Sequence, residues 1–270
     1  MTASRGYSED MRLAHVLADQ ADSLSMERYK AQDLRVETKP DLTPVTDADR
    51  AVEEQLRITL SRARTRDAVL GEEFGTTTGH GSRRWVLDPI DGTKNFVRGV
   101  PVWATLIALF DGDEAVVGMV SAPALNRRWW AAKDVGAWTG RRLESATRCR
   151  VSEVGSLDDA SLSYSSLSGW EERGTLEGFL DLTRSVWRTR AYGDFWSYVL
   201  LAEGPVDIAC EPEVSLWDLA AVDVIVREAG GRFTDLSGHR GPGGGSALAT
   251  NGRLHDGALE KLRRPGPVPV

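Results

Sequence analysis

The chain has 270 residues, 41% of them hydrophobic and 27% charged, with a formal net charge of −7. That length supports a sizeable core, in one large domain or two coupled halves, and the acidic balance excludes the basic footprint of a nucleic-acid binder. No apolar run approaches the ~20 residues of a membrane span, and Met1-Thr2-Ala3-Ser4-Arg5-Gly6 has no hydrophobic signal core, so no membrane partner is expected.

Residues 8–30 carry Leu13, Val16, Leu17 and Leu24 at helical spacing. Lys39-Pro40-Asp41-Leu42-Thr43-Pro44-Val45 cannot continue that helix, because proline disfavours a helical residue before it. A second helix starts at Thr46, with Asp47 and Asp49 near its positive end and Val52, Leu56 and Leu60 on one face. Ala68-Val69-Leu70 and Trp85-Val86-Leu87 read as short buried strands. Residues 103–110 and 115–121 form a hairpin around Asp111-Gly112-Asp113, and residues 128–132 and 136–143 continue a β-rich region. Past residue 151 the pattern is mixed: a strand within 157–166, helices over 175–186 and 196–202, a strand over 206–210, and a helix over 216–229 closed by Gly230-Gly231. Pro242-Gly243-Gly244-Gly245 is a loop, and Arg264-Pro265-Gly266-Pro267 reads as a frayed end. Strands in two blocks with helices between them favour an α+β layered fold with a sheet in each half, residues 1–145 and 146–270. The two cysteines, Cys149 and Cys210, have no metal-ligand spacing; the expectation is a soluble, cytoplasmic protein without a disulfide framework.

The stretch Trp85-Val86-Leu87-Asp88-Pro89-Ile90-Asp91-Gly92-Thr93 carries the chemistry. An apolar strand ends in two carboxylates, and Pro89 fixes φ and removes an amide hydrogen, so the chain turns there. The turn aims Asp88, Asp91 and the carbonyl of Ile90 at one point. Gly92 allows close backbone approach, and a helix beginning near Thr93 points free amides at a phosphate. All-oxygen ligands suit a hard cation, Mg²⁺ or Mn²⁺, rather than Zn²⁺. Each part also has a plainer reading when taken alone. Asp-Pro and Asp-Gly are common turn signals, Glu72-Glu73 reads as a solvated loop, and Asp218 as an acid at a helix N-terminus. The full string with both further sites favours a metal-dependent phosphate-ester hydrolase.

Gly71-Glu72-Glu73, then Asp88 to Phe96, then Trp217-Asp218-Leu219-Ala220 ahead of Glu228-Ala229-Gly230-Gly231 together resemble the inositol monophosphatase-like, lithium-sensitive phosphatase superfamily. The likeness extends to residues 40–47 and covers nearly the whole chain. The resemblance implies a layered αβαβα sugar-phosphatase fold, usually a homodimer, with two or three Mg²⁺ ions between the halves and Mn²⁺ as a substitute. It implies that Glu72, Asp88 and the Ile90 carbonyl hold a first metal, that Asp88, Asp91 and Asp218 hold a second, and that Glu72 shares a weaker third. Thr93, oriented by Asp47 and with Glu72 nearby, would position and activate the attacking water, while the Gly92 and Thr93 amides hold phosphate oxygens. Glu73 would stand behind the ligands. The implied chemistry is in-line attack of an activated water with the ions stabilising charge. Neither cysteine sits in a phosphate loop and the four histidines do not cluster, so none has a catalytic role.

Which ester is cleaved rests on Tyr192-Gly193-Asp194-Phe195-Trp196-Ser197-Tyr198. A Gly-Asp followed by aromatics resembles the histidinol-phosphate phosphatase branch; inositol-cleaving relatives tend to have small or hydroxylated residues where Asp194 lies. Histidinol phosphate carries an ammonium group and an ionisable imidazole, whose charge Asp194 would balance while aromatics border the ring. Glu211 would join it, so Asp91, Gly193, Asp194, Glu211 and Asp218 are the expected contacts of this small phosphate ester. Read without the family, Asp194 is a helix N-cap, Phe195, Trp196 and Tyr198 are core or interface aromatics, and Lys94 is a solvated lysine. Inositol 1-phosphate or a range of sugar monophosphates is the alternative substrate. Arg188 and Arg190 keep a bisphosphate open, and an inactive metal- or partner-binding relative is the remote alternative.

Overall fold

Alternation along the long central strands sets the layers. The computed structural model describes residues 6–40, 42–141 and 143–263, and the frayed end expected from Arg264 lies outside them. The chain opens with α1 (Ser8–Arg28), an antiparallel hairpin of β1 (Val36–Thr38) and β2 (Pro44–Thr46), and α2 (Asp47–Ala63). Next come β3 (Ala68–Gly71), β4 (Gly75–Thr77), β5 (Arg83–Asp91), the short α3 (Thr93–Arg98) and a run of strands: β6 (Ala104–Asp111), β7 (Glu114–Ala122), β8 (Arg127–Ala132), β9 (Gly136–Gly140) and β10 (Thr147–Arg148). They form an eight-stranded sheet ordered β10-β9-β8-β7-β6-β5-β3-β4, antiparallel except where β3 meets β5. The second block runs β11 (Ser161–Ser163), α4 (Ser168–Glu172), α5 (Leu176–Arg184), β12 (Arg188–Arg190), α6 (Asp194–Glu203), β13 (Ile208–Glu211), α7 (Leu216–Glu228), β14 (Arg232–Thr234), β15 (Ala247–Thr250) and α8 (His255–Leu262). Its sheet is five-stranded, ordered β12-β11-β13-β15-β14.

Successive side chains on a strand face opposite ways. So β5 sends Trp85 and Leu87 into a core shared with α1 and α2, and Val86 into a core shared with α6 and α7. Strand β6 divides the same way, with Ile107 and Leu109 on one side and Leu106, Ala108 and Phe110 on the other. The α6–α7 core also takes Ala209, Ala247 and Ala249 from the five-stranded sheet, so these two helices lie between the sheets. On the far face Leu162, Ile208, Cys210 and Leu248 pack against Trp170, Phe179 and Leu259 of α4, α5 and α8. The layers run helix, sheet, helix, sheet, helix, the expected αβαβα order. Cys149 and Cys210 are both buried and free.

The approach of α7 to the large sheet is tight: a Cβ at Gly118 on β7 would fall on the Ala221 carbonyl. Gly118→Ala should therefore destabilise the fold by about 1–3 kcal/mol through overpacking. The check is the denaturation midpoint, and an unchanged midpoint would contradict this contact.

Helix α1 departs from the expected face. Its buried stripe is Met11, Ala14, Leu17, Ala18 and Ala21, whereas Val16 is 47% exposed. Three of these five buried apolar residues are alanines, small residues that a pattern of large apolar ones does not register.

Candidate active site

Strand β5 does not stop at Leu87. It continues to Asp91 through an irregularity, because Asp88 pairs with Leu106 and Asp91 with Ala104 of β6. One residue is extra on the β5 side, as in a β-bulge. Pro89 has no amide to give the ladder, and its carbonyl instead accepts the Thr105 hydroxyl at 2.8 Å. Asp88 Oδ1 accepts the Ile90 amide at 3.0 Å, which folds the bulge over its first carboxylate. Gly92, with φ 81°, then turns the chain into α3.

The bulge forms the floor of a cleft of about 700 Å³. Lys39, Thr43 and Pro44 wall it on one side, Tyr192 to Asp194 on another, and Ser215, Trp217 and Asp218 at the start of α7 on a third. Oxygen atoms of Asp88, Asp91 and Asp218 all lie within 4.8 Å of one another. Asp218 also accepts the Ser215 amide at 2.8 Å in a capping box, so it serves the helix and faces the cleft. Glu72 and Glu73 share the Lys39 ammonium, each at 2.6 Å.

These carboxylates are held together against their own repulsion. Burial raises the pKa of Asp88 well above the usual range, and Glu72, Asp91, Asp218 and Asp49 add negative charge around it. Burial likewise raises Asp91, with Asp194 and Asp218 reinforcing the shift, and Asp218 is pushed up to about 6, chiefly by burial. Three buried or half-buried acids with one oxygen each this close together could hold a cation, which would relieve the repulsion that raises their pKa values. The donors are carboxylates and, at Ile90, a backbone carbonyl, so the residues present fit Mg²⁺.

This electrostatic load has a measurable consequence. Burial also pushes Glu211 up to about 8 from 4.5. An unfolded chain ionises such a group first, while the folded chain keeps its proton, so stability falls as pH rises between those values. In chelator the melting temperature should decline from about pH 4.5 to about pH 8, and Mg²⁺ should restore more of it at the upper end. A flat profile in chelator would contradict the arrangement.

Several expected partners are not brought together. Thr93 donates its hydroxyl to the Ile90 carbonyl at 2.9 Å, while Asp47 Oδ2 accepts from Arg28 at 2.8 Å and Asp47 Oδ1 is buried without a partner, so no hydrogen bond joins Asp47 to Thr93. The inward acid in the first turn of α2 is Asp49, to which the sequence assigned only a place near the helix's positive end. It is 1% exposed, accepts both the amide and the hydroxyl of Thr46, and is pushed up to about 7 by burial and then by Glu73 and Glu72. Its signal was present as Thr46-x-x-Asp49, a capping box that folds the third helical residue back over the helix start.

Glu211 is not on the cleft wall. It is buried behind Ser165, taking hydrogen bonds from Ser165 and, at 3.0 Å, from the Tyr198 hydroxyl. Asp194 does reach the cleft, in an unusual backbone state with φ 50°, after Gly193 at φ 76°. It is not a side-chain cap: the Phe195 amide of α6 is capped by Asp91 Oδ2 at 2.6 Å from the other sheet. The Asp194 carboxylate lies by Asn95 Nδ2 at 3.3 Å and opposite Gly92, and burial raises its pKa while Lys94 opposes the shift. Phe195 and Tyr198 belong to the core, and the aromatic residues that line the cleft are Tyr192 and Trp217. Arg188 and Arg190 bond to Ser161 and to a backbone carbonyl, and neither lines the cleft.

The sequence pattern of the inositol monophosphatase family matches residues 7–265. The chain belongs to the inositol monophosphatase family. Within that family it is 66% identical to the histidinol-phosphatase of Streptomyces coelicolor over 262 residues, covering 96% of this chain and 98% of the relative. It is 62% identical to the histidinol-phosphatase of Mycobacterium tuberculosis, covering 94% and 98%. Among solved structures of the same fold, the extragenic suppressor protein suhB of Bartonella henselae superposes with a TM-score of 0.87 at 28% identity, covering 95% of this chain and 99% of that one.

Proposed function

We propose that this chain hydrolyses L-histidinol phosphate to L-histidinol and phosphate, with Mg²⁺ as its cofactor. The observation that carries the choice of substrate is the place of Asp194 on the wall of the acidic cleft, where a cationic leaving group gains and a neutral polyol does not. The names and high identity of the Streptomyces and Mycobacterium relatives point the same way.

In this reading Glu72, Asp88, the Ile90 carbonyl, Asp91 and Asp218 hold two or three ions, with Mn²⁺ as a substitute. When bound, Mg²⁺ supplies positive charge for the phosphoryl oxygens and eases deprotonation of water. The chain's own residues do the rest. The Gly92 and Thr93 amides hold phosphate oxygens at the start of α3. Thr93 and Glu72 stand on the water side and orient it for in-line attack. Asp91 and Asp218 face the leaving oxygen, and Asp194 takes the amino or imidazolium end of the substrate, with Tyr192 and Trp217 beside the ring. Lys39 pairs with Glu72 and Glu73 at the rim of the same site. Among the described residues no helix is long and apolar enough to cross a membrane. A cytoplasmic homodimer is part of the same proposal.

The test is phosphate release from histidinol phosphate, inositol 1-phosphate, fructose 1,6-bisphosphate and an aryl phosphate, each with Mg²⁺. The expected result is the highest kcat/KM on histidinol phosphate. Equal or higher values on inositol 1-phosphate would overturn the choice of substrate and leave Asp194 without its assigned role.

A further inference from the structure

Glu53 is a fully buried acid, 0% exposed, that no step of the proposed reaction uses. It projects from α2 toward the turn between β3 and β4, the turn that carries Glu72. Its carboxylate accepts the Glu73 amide at 2.7 Å and the Phe74 amide at 3.2 Å. Its counter-charge is Arg57, one helical turn later, at 2.7 Å. Arg57 reaches on to β4, the strand that leaves this turn, donating to the Thr77 hydroxyl at 2.8 Å and to the Gly75 carbonyl. On the other side of Glu72, a Cβ at Gly71 would fall on the Glu53 carboxylate. Glu72 therefore sits between two points that the same side chain fixes: a glycine pressed against it and two amides bonded to it.

Among the proposed ligands, Glu72 most needs such support. Asp88 and Asp91 are carried by a strand and Asp218 by a helix in its capping box, whereas Glu72 stands in a turn, with its amide 3.3 Å from the Leu87 carbonyl. A turn holds a carboxylate in place only as well as its backbone is anchored. Buried charges that collect several hydrogen bonds keep their geometry, since leaving any partner unpaired is costly.

We infer that Glu53 is a positioning residue for Glu72: by holding the Glu73 and Phe74 amides and by filling the space over Gly71, it sets the affinity of the cleft for Mg²⁺. The inference rests on the metal-site reading above. It also explains why residue 71 is a glycine although its backbone does not have positive φ.

The experiment is calorimetric titration of the metal-stripped full-length protein with Mg²⁺, without substrate, for the wild type, Glu53→Gln and Gly71→Ala. Glu53→Gln keeps the shape but loses the charge and one acceptor. Gly71→Ala pushes the carboxylate aside without altering it. Both should raise the Mg²⁺ dissociation constant about 10- to 100-fold, the usual cost of losing a group that orients a ligand. The Mg²⁺ concentration for half-maximal turnover should rise in step. A merely structural role would lower the melting temperature and the fraction of sites titrated but leave the dissociation constant of the folded protein unchanged, and that result would overturn the inference. Should Glu53→Gln fail to fold, Gly71→Ala decides alone: weaker Mg²⁺ binding supports the inference, and wild-type binding overturns it. If the wild type itself binds no Mg²⁺, the proposed function falls and this inference with it; wild-type binding with unaltered variants removes the inference only.

Discussion

Asp91→Asn should lower kcat on histidinol phosphate about 10³-fold or more while leaving the fold intact. A ligand that helps place a cation opposite developing charge contributes several kcal/mol at the transition state, and each ~1.4 kcal/mol is tenfold in rate. The second task of this residue explains why asparagine is the informative replacement. Asp91 Oδ2 caps α6 through the Phe195 amide at 2.6 Å, and the amide oxygen of asparagine can accept the same bond. Removing the charge also relieves repulsion from Asp194 and Asp218, the neighbours that help raise its pKa after burial. The melting temperature without metal should therefore hold or rise. Asp91→Ala would add the loss of a cap, about 1 kcal/mol, and confuse the two effects. Turnover of Asp91→Asn near the wild-type rate at saturating Mg²⁺ would contradict the site.

Asp194→Asn should separate the substrates. A hydrogen bond to a charged group is worth about 1.5–3 kcal/mol, so kcat/KM for histidinol phosphate should fall roughly 10- to 100-fold. For inositol 1-phosphate, which brings no cation, the change should stay within about threefold. Asparagine is preferred to alanine because the position has φ 50°, which asparagine tolerates and alanine does not. It also retains an oxygen for Asn95 Nδ2. Parallel losses on both substrates would mean that Asp194 shapes the turn into α6 rather than reading the leaving group.

The parts of this molecule that were legible in its sequence are those whose signals are local. Helix α2 carries its capping residues and its Val52, Leu56 and Leu60 stripe within one short stretch. The acids of the β5 bulge are carried by one string, Asp88-Pro89-Ile90-Asp91, whose proline forces the ladder to break. What escaped depends on contacts between distant segments. Whether Asp47 or Asp49 turns inward is decided by Thr46 and by Arg28, which holds Asp47 from α1. Glu211 sits seven residues before Asp218, yet Ser165 and Tyr198 hold it behind the wall of the cleft. The helix expected to be capped by Asp194 is capped by Asp91, 104 residues earlier in the chain than Phe195. The alanine-rich buried face of α1 shows a different limit, since small buried residues leave no mark in a pattern of large apolar ones.

The acids gathered at the β5 bulge and the start of α7 are proposed as a cation site on which histidinol phosphate is hydrolysed. The most direct measurement is phosphate release from histidinol phosphate by protein stripped with chelator, followed on the same sample after Mg²⁺ is added. The expected result is no release above the uncatalysed rate before addition and full turnover after it. Undiminished release in the presence of chelator would contradict it.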